Sequence, residues 1–428
     1  MAAYAPDAGL AVKAQVPERQ ARLQLVQTTV FDALVLDARL RQALVTVRSL
    51  GKRGLAVAAL ETLGDAPAFS SRWCRQADVC LSEEGAEAYE AYLEELLDRT
   101  GVRVVIPSSD GTIALLRRYR KRFEQRTRLA LAPEAALAIA VNKEQTLAIA
   151  LRLGLGVPRG VTVGNASDVA AALNEIGLPA VVKPVESWVG DARHGARLAS
   201  RLVTTSVEAR AAVDELTRFG GKTLFQQYVP GRREAVSFLL ADGVMYARFA
   251  QWAKRTEPPL GGQSVLRQSI AVPADIGGQA EHLVREIGLE GYSEVEFRRD
   301  EAGKPYLMEI NPRLSASVEL AVRAGIDFPA LIYQWATGGP IDKVTSYRAH
   351  GWMRHLGGDF ITTIAAIQQR GRPGVAPPLE AILGFCLSFF QPAGYDYMDW
   401  KDPLPALKAA ANFTRGWMMP AIRKRLRR

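Results

Sequence analysis

Sulfur and imidazole are scarce in this chain: its 428 residues include three cysteines and four histidines. Cys74, Cys80 and Cys386 are too few and too widely spaced for a disulfide framework or a thiolate zinc site. A reducing cytoplasm is the expected compartment. No apolar run approaches the ~18 residues of a membrane-spanning helix, and the first residues lack the basic start and apolar stretch of a secretion signal. The first strand–helix turn, at 36–41, contains no glycine, so the fingerprint of a nicotinamide or flavin site is missing. Internal repeats and low-complexity linkers are absent as well. What is plentiful is apolar mass, 48% of the residues, enough for two or three domain cores. The net charge of +9 favours anionic partners, yet five positive charges fall within 423–428. That tail is a local feature, and nothing points to nucleic acid.

The pattern along the chain is regular from residue 31 onward, after a polar arm over 1–30. Strands at 33–36, 55–60 and 102–106 alternate with helices at 39–50, 87–99 and 112–123. Such alternation indicates a parallel, doubly wound sheet in an α/β domain over 31–130. A second block follows, with a helix at 142–153 capped by Asn142, strands at 160–163 and 179–184, and a glycine-bearing loop at 187–195. Antiparallel strands at 234–241 and 244–254 are turned by Asp242-Gly243, a strong hairpin signal. This α+β block extends over 131–340, with a smaller lobe at 157–228. Residues 341–428 form a mixed extension rich in aromatics and prolines.

The chemistry concentrates near residue 300. The runs SEVEF (293–297) and YLMEINPR (306–313) are joined by a glycine-containing turn, which reads as a β-hairpin. If the strands pair, Glu296, Glu309 and Asn311 project from neighbouring positions on one face. Two carboxylates and an amide oxygen make a hard ligand set suited to Mg²⁺ held with a nucleotide's phosphates. Val295, Phe297, Leu307, Met308 and Ile310 frame them, so unpaired charge there would be expensive. Arg313 follows and is placed to hold an anion. Lys183 lies in the apolar strand VVKP, an unusual place for a lysine without a partner.

Taken together, the order and spacing of these pieces over 32–340 resemble the ATP-grasp superfamily, which includes D-alanine–D-alanine ligase, biotin carboxylase and carbamoyl-phosphate synthetase. The resemblance implies that Lys143 and Lys183 reach the phosphates of ATP. It implies that the loop with Gly190, Arg193, His194 and Gly195 covers those phosphates with backbone N–H groups. In the connector QQYVPGRRE (226–234), Gln226 and Gln227 would meet the adenine, Val229 would offer its backbone, and Glu234 would receive the ribose hydroxyls. Glu296, Glu309 and Asn311 would ligate Mg²⁺, with Mn²⁺ as a substitute ion. Arg313 would steady the transferring phosphoryl group, and Ser315 and Ser317 would contact substrate.

The activity implied is an ATP-dependent carboxylate–amine ligase. A carboxylate attacks the γ-phosphorus, and an amine then displaces phosphate from the acyl phosphate. Small-molecule carboxylates and amines, some of them anionic, are the expected partners. Alternatives are carbamoyl-phosphate or carboxylase chemistry with bicarbonate and a non-catalytic ATP-binding regulator. The first is disfavoured because no biotin module, glutaminase segment or duplicated half is visible. Ser108, Ser109 and Asp110 follow a parallel strand, where ligands of such sheets gather; a capped turn is the competing use. The basic tail with Trp417 is suited to an anionic substrate or a membrane surface. His350 and His355 miss the i, i+4 spacing of a ligand pair and read as structural. Homo-oligomerisation stays open.

Overall fold

The computed structural model describes residues 30–80, 85–190, 195–259 and 261–418. The arm at 1–29, Arg193, His194 and the 423–428 tail lie outside the described residues. Five short apolar strands build the first sheet: β1 (Ala33–Leu36), β2 (Val57–Glu61), β3 (Cys74–Val79), β4 (Val104–Ile106) and β5 (Arg128–Leu129). All are parallel, in the order β3-β2-β1-β4-β5. The order reverses between β1 and β4, so their carboxyl ends open the crevice where such sheets take ligands. Asp37 sits there at a φ of 60°. It accepts bonds from Ser108 N (3.0 Å), Ser109 Oγ (3.0 Å) and Thr112 Oγ1 (2.7 Å). Burial pushes its carboxyl up to about 6. The helix read at 112–123 begins earlier, at Asp110, because Ser109 caps it through a reciprocal bond with Thr112.

The smaller lobe has a four-stranded antiparallel sheet from β6 (Gly160–Val163), β7 (Ala180–Pro184), β10 (Arg201–Val203) and β11 (Thr223–Gln227), in the order β10-β7-β11-β6. Between β7 and β10 a small hairpin projects, formed by β8 (Trp188–Gly190) and β9 (Gly195–Arg197). Helices Val169–Ile176 and Ser206–Thr217 cover one sheet face, where Val182, Val213 and Phe225 form a core of this lobe alone.

The larger lobe is a seven-stranded sheet. Its strands are β12 (Arg232–Ala241), β13 (Val244–Glu257), β14 (Gln263–Ile270), β15 (Gly291–Arg299), β16 (Pro305–Asn311), β17 (Trp352–Arg354) and β18 (Ala393–Tyr395). The order is β16-β15-β12-β13-β14-β17-β18. The stretch after residue 340 is thus no appendage to this sheet, since β17 and β18 are two of its strands. Phe238, Val295 and Phe297 on one face share a core with Leu34 and Leu36 of the first sheet. Phe249 and Tyr292 on the other share one with Val35 and Val57. Larger lobe and first domain are fused through cores that the smaller lobe does not enter.

Candidate functional site

The hairpin read from sequence forms as β15–β16, with Glu296 directly opposite Glu309 and Glu294 opposite Asn311. Paired residues of antiparallel strands share a face, so the three expected metal ligands stand together. Between the pairs Glu296–Glu309 and Phe297–Leu307 the register slips, leaving Met308 as the extra residue of a bulge. Met308 Sδ lies 3.8 Å from Lys183 Nζ, which brings the smaller lobe onto the hairpin. Asn311 Nδ2 donates to Glu296 Oε1 at 3.0 Å.

The charges balance around this pair. Burial works to raise Glu309, but Lys143, Lys183, Arg233 and Arg313 outweigh it and hold the carboxyl below its ordinary value. Burial dominates at Glu296 and pushes it up, helped by Glu309 and Glu294, against the pull of Arg233. Lys183 is lowered to about 8, chiefly by burial, with Glu309 opposing. Lys143 is almost fully buried at 5% exposure, unlike the surface lysine typical of a helix start. Its Nζ bonds Ser187 Oγ at 2.8 Å and lies 3.4 Å from Glu309 Oε2. Its backbone N–H donates to Val185 O at 3.0 Å, tying the start of helix Lys143–Arg152 to the strand that carries Lys183.

Arg313 reaches Asp110 with two bonds, 2.5 and 3.1 Å. Burial opposes the ionised Asp110, but Arg313, Arg197 and Lys143 keep it below the usual carboxylate range. Arg197 Nε of β9 is 3.7 Å from the same carboxylate. Trp188 of β8 lies over Gly111, where a Cβ would stand 2.9 Å from the indole ring. The hairpin therefore rests on the first domain as a cover. A cleft remains beneath it, lined by Asp110, Lys143, Ser187, Trp188, Glu309 and Asn311 among others.

Two residues of the connector do not face this cleft. Lys183 pairs with Leu224 and Val181 with Gln226, so Gln226 shares the face of Lys183, and the side chain of Gln227 takes the opposite face. Glu234 pairs with Phe297 and shares its core-facing side. There its carboxylate is fully buried, ion-paired with Arg232 and held 2.8 Å from Arg299 Nε. A ribose acceptor is excluded in that orientation. The β12 side chain on the face of Glu296 is Arg233, one residue earlier, which pairs with Glu296. Strand alternation counted back from Ser237 would have found it. Val229 O accepts from Arg298 Nη1 at 3.3 Å, so that carbonyl is engaged by a side chain of β15.

Of the serines expected near substrate, Ser109, Ser315 and Ser317 are engaged internally, while the buried Ser108 hydroxyl has no partner among the described residues. Ser108 is fully buried and Ser109 is a helix cap. Ser315 and Ser317 bond each other at 2.7 Å, and Gln251 Nε2 donates to Ser317 Oγ at 2.5 Å. Gly190 and Gly195 pair across β8–β9. His355 is half-buried, packs against Tyr397 and is lowered to about 3 by desolvation and Arg41, in keeping with a structural imidazole.

A cation fits this face. Two side-by-side carboxylates and an amide oxygen line a partly open cleft, with Glu309 keeping 31% of its side-chain exposure. Among the described residues no three His, Cys, Asp or Glu side chains converge. A metal here therefore needs phosphate oxygens to complete its shell.

Comparison with known proteins bears on the same elements. Residues 223–355 match the family described as ATP-grasp in the biosynthetic pathway with Ter operon. The D-alanine–D-alanine ligase of Saccharophagus degradans is 27% identical over 215 residues, covering 47% of this chain and 65% of that ligase. The chain thus spans just under two thirds of the length of this curated relative. A biotin carboxylase–β,γ-ATP complex from Campylobacter jejuni superposes with a TM-score of 0.59 at 16% identity, over 75% of this chain and 74% of that one. An L-amino acid ligase from Bacillus licheniformis does so with a TM-score of 0.56 at 19% identity, over 74% and 76%.

Proposed function

Since the chain belongs to the ATP-grasp superfamily, we propose that it is an ATP- and Mg²⁺-dependent ligase joining a small carboxylate to an amine through an acyl phosphate. The observation that carries this reading is the convergence of Lys183, Lys143 and Arg313 on the registered pair Glu296–Glu309, across a cleft that three parts of the chain enclose. Glu296, Glu309 and Asn311 would hold Mg²⁺, with Mn²⁺ as the substitute. Bound there, the ion neutralises charge on the phosphate oxygens. Lys183 and Lys143 would meet the phosphates, and Gln226, on the same strand face as Lys183, would meet the adenine. Arg313 is the group suited to an oxyanion, and to meet one it must exchange Asp110 for it. The β8–β9 hairpin shields a water-sensitive acyl phosphate. The scarcity of cysteine supports a cytoplasmic setting, and among the described residues no helix is long and apolar enough to cross a membrane.

The test is phosphate release from Mg–ATP, screened against pools of carboxylic acids and amines, with product masses read in parallel. A ligase releases phosphate only when both acceptors are present and yields a product joined with loss of one water. Glu309→Gln is expected to abolish this while keeping the wild-type melting profile. ATP binding with no release for any acceptor pair would overturn the ligase reading in favour of a nucleotide-binding regulator.

A further inference from the structure

Cations from separate parts of the chain converge on one carboxylate inside the cleft. Asp110 lines that cleft at the start of helix Asp110–Arg118. Arg313, which follows β16 of the larger lobe, grips it with two bonds, 2.5 and 3.1 Å, the forked geometry by which a guanidinium takes a carboxylate. Arg197 of the β8–β9 hairpin places its Nε 3.7 Å from the same carboxylate, and Lys143 adds to the positive field around it. The two arginines are satisfied to different degrees. Arg313 keeps 13% of its side chain exposed, whereas Arg197 keeps 59% and meets no other anion among the described residues. At 3.7 Å the Arg197 contact is an ion pair without a hydrogen bond, and pairs that open are screened and weak. The hairpin therefore carries a cation whose partner is incomplete.

Asp110 also has a local alternative to Arg313. It is the first residue of its helix, directly after the cap Ser109, where the helix dipole favours a negative charge. Its release would leave both arginines to an external anion beside Asn311, whose Oδ1 Arg313 already meets at 3.4 Å. We propose that Arg313 and Arg197 together form the seat of the substrate's carboxylate, and that Asp110 competes for this seat from within the chain. The proposal rests on the ligase reading and deepens it, adding Arg197 as a substrate-binding residue carried on the cover itself. A carboxylate from solution is free to approach Arg197 more closely than the tethered Asp110 does, so binding of the acid draws the cover down. A tethered competitor acts at an effective concentration on the order of millimolar. The apparent affinity for the acid is then reduced by the fraction of chains in which Arg313 is free. The seat thereby favours an acid that makes both arginine contacts and disfavours weakly held anions and neutral isosteres.

Thermal melts of the full chain in Mg–ADP test the seat, with acetate as the probe and acetamide as its neutral isostere. The variant D110N keeps the side-chain shape and removes the competing charge. Acetate should raise its melting temperature at about tenfold lower concentration than it needs with wild type, and acetamide should have no effect. In D110N/R197M the acetate requirement should climb about tenfold again. Turnover gives a second readout, using the acid and amine found by the phosphate-release screen. D110N should lower KM for the acid several-fold with KM for ATP unchanged, whereas R197M should raise the acid's KM and R197K should restore part of it. An Asp110 with a structural role alone would lower kcat and leave the acid's KM in place. The proposal is overturned if acetate acts equally on wild type and D110N, if acetamide matches acetate, or if R197M changes neither assay. Should D110N fail to fold, R197M decides alone, because its position is exposed, and an unchanged KM for the acid overturns the proposal. A wild-type chain that releases no phosphate with any acid overturns the ligase reading instead, and the acetate melts then decide whether the two arginines form an anion seat.

Discussion

Glu296 shows how much a single cation matters at this site. Its carboxylate is buried between Arg233 and the Asn311 amide. Removing one member of a buried ion pair leaves the other uncompensated, at a typical cost of 3–5 kcal/mol. Arg233→Met should therefore lower stability by about 3 kcal/mol in the absence of metal. Millimolar Mg²⁺ should restore more of that loss than it adds to wild type, because the ion takes the charge position the guanidinium left. Thermal melts with and without Mg²⁺ check this, and equal metal effects on both proteins would refute it. Lys183 supplies a pH dependence. With its ammonium lowered to about 8, the charged form that attracts phosphate is lost as pH rises through that value. ATP affinity measured calorimetrically should fall above about pH 8 in wild type, and Lys183→Met should be weak and flat across the same range.

At the level of elements, the β8–β9 hairpin acts as a cover whose seat is one glycine. Gly111 leaves room for the Trp188 ring, and any side chain there meets the indole. Gly111→Val should lift the hairpin, raising ATP hydrolysis without amide formation relative to coupled turnover. The ratio of phosphate to amide product reads this directly, with a several-fold increase expected. The connector shows where strand reading succeeds and where it slips. The β15–β16 hairpin was legible because Glu296, Glu309 and Asn311 sit among apolar residues of matching parity, and one pairing brings all three to one face. In the connector, the side chains on the strand faces of Lys183 and Glu296 are Gln226 and Arg233, each one residue before the expected Gln227 and Glu234. Side chains alternate, so a slip of one residue reverses the face, and the ribose role of Glu234 came from the family resemblance rather than from strand parity. The burial of Lys143 was not legible either, since its partners Ser187 and Glu309 come from segments far along the chain. The β8–β9 strands escaped for a different reason: three-residue strands carry too little alternation to register.

For the whole molecule, the separate core of the smaller lobe predicts separable motion. Residues 160–227 should exchange amide hydrogens as one unit, faster than β12–β15, and bound Mg–ATP should slow that exchange selectively. The parts of the chain beyond residue 340 behave differently, being tied to the first domain by buried charge. Asp396 is held well below the ordinary carboxylate range: burial opposes its ionised form, but Arg267 and Arg41 outweigh that cost. Asp402 likewise meets Arg48 at 2.9 Å and Ser71 at 2.7 Å. Asp396→Ala should destabilise the fold by about 3–5 kcal/mol in urea titrations, because two buried guanidinium groups lose their anion. Since the folded-state pKa of Asp396 lies below its unfolded value, its contribution is full above the unfolded pKa near 4. It fades as pH falls toward the folded value, so wild type and Asp396→Ala should converge in stability in acid.

The Arg41–Asp396 pair, 2.5 Å long, joins residues 355 positions apart. On a ribosome adding about 5–20 residues each second, Arg41 emerges roughly 20–70 s before its anion exists. Until then the helix that packs on β1 carries a charge it cannot bury. The first domain is therefore held short of its final packing until residue 396 has been made, and a nascent chain that stops before it stays recognisable as unfinished.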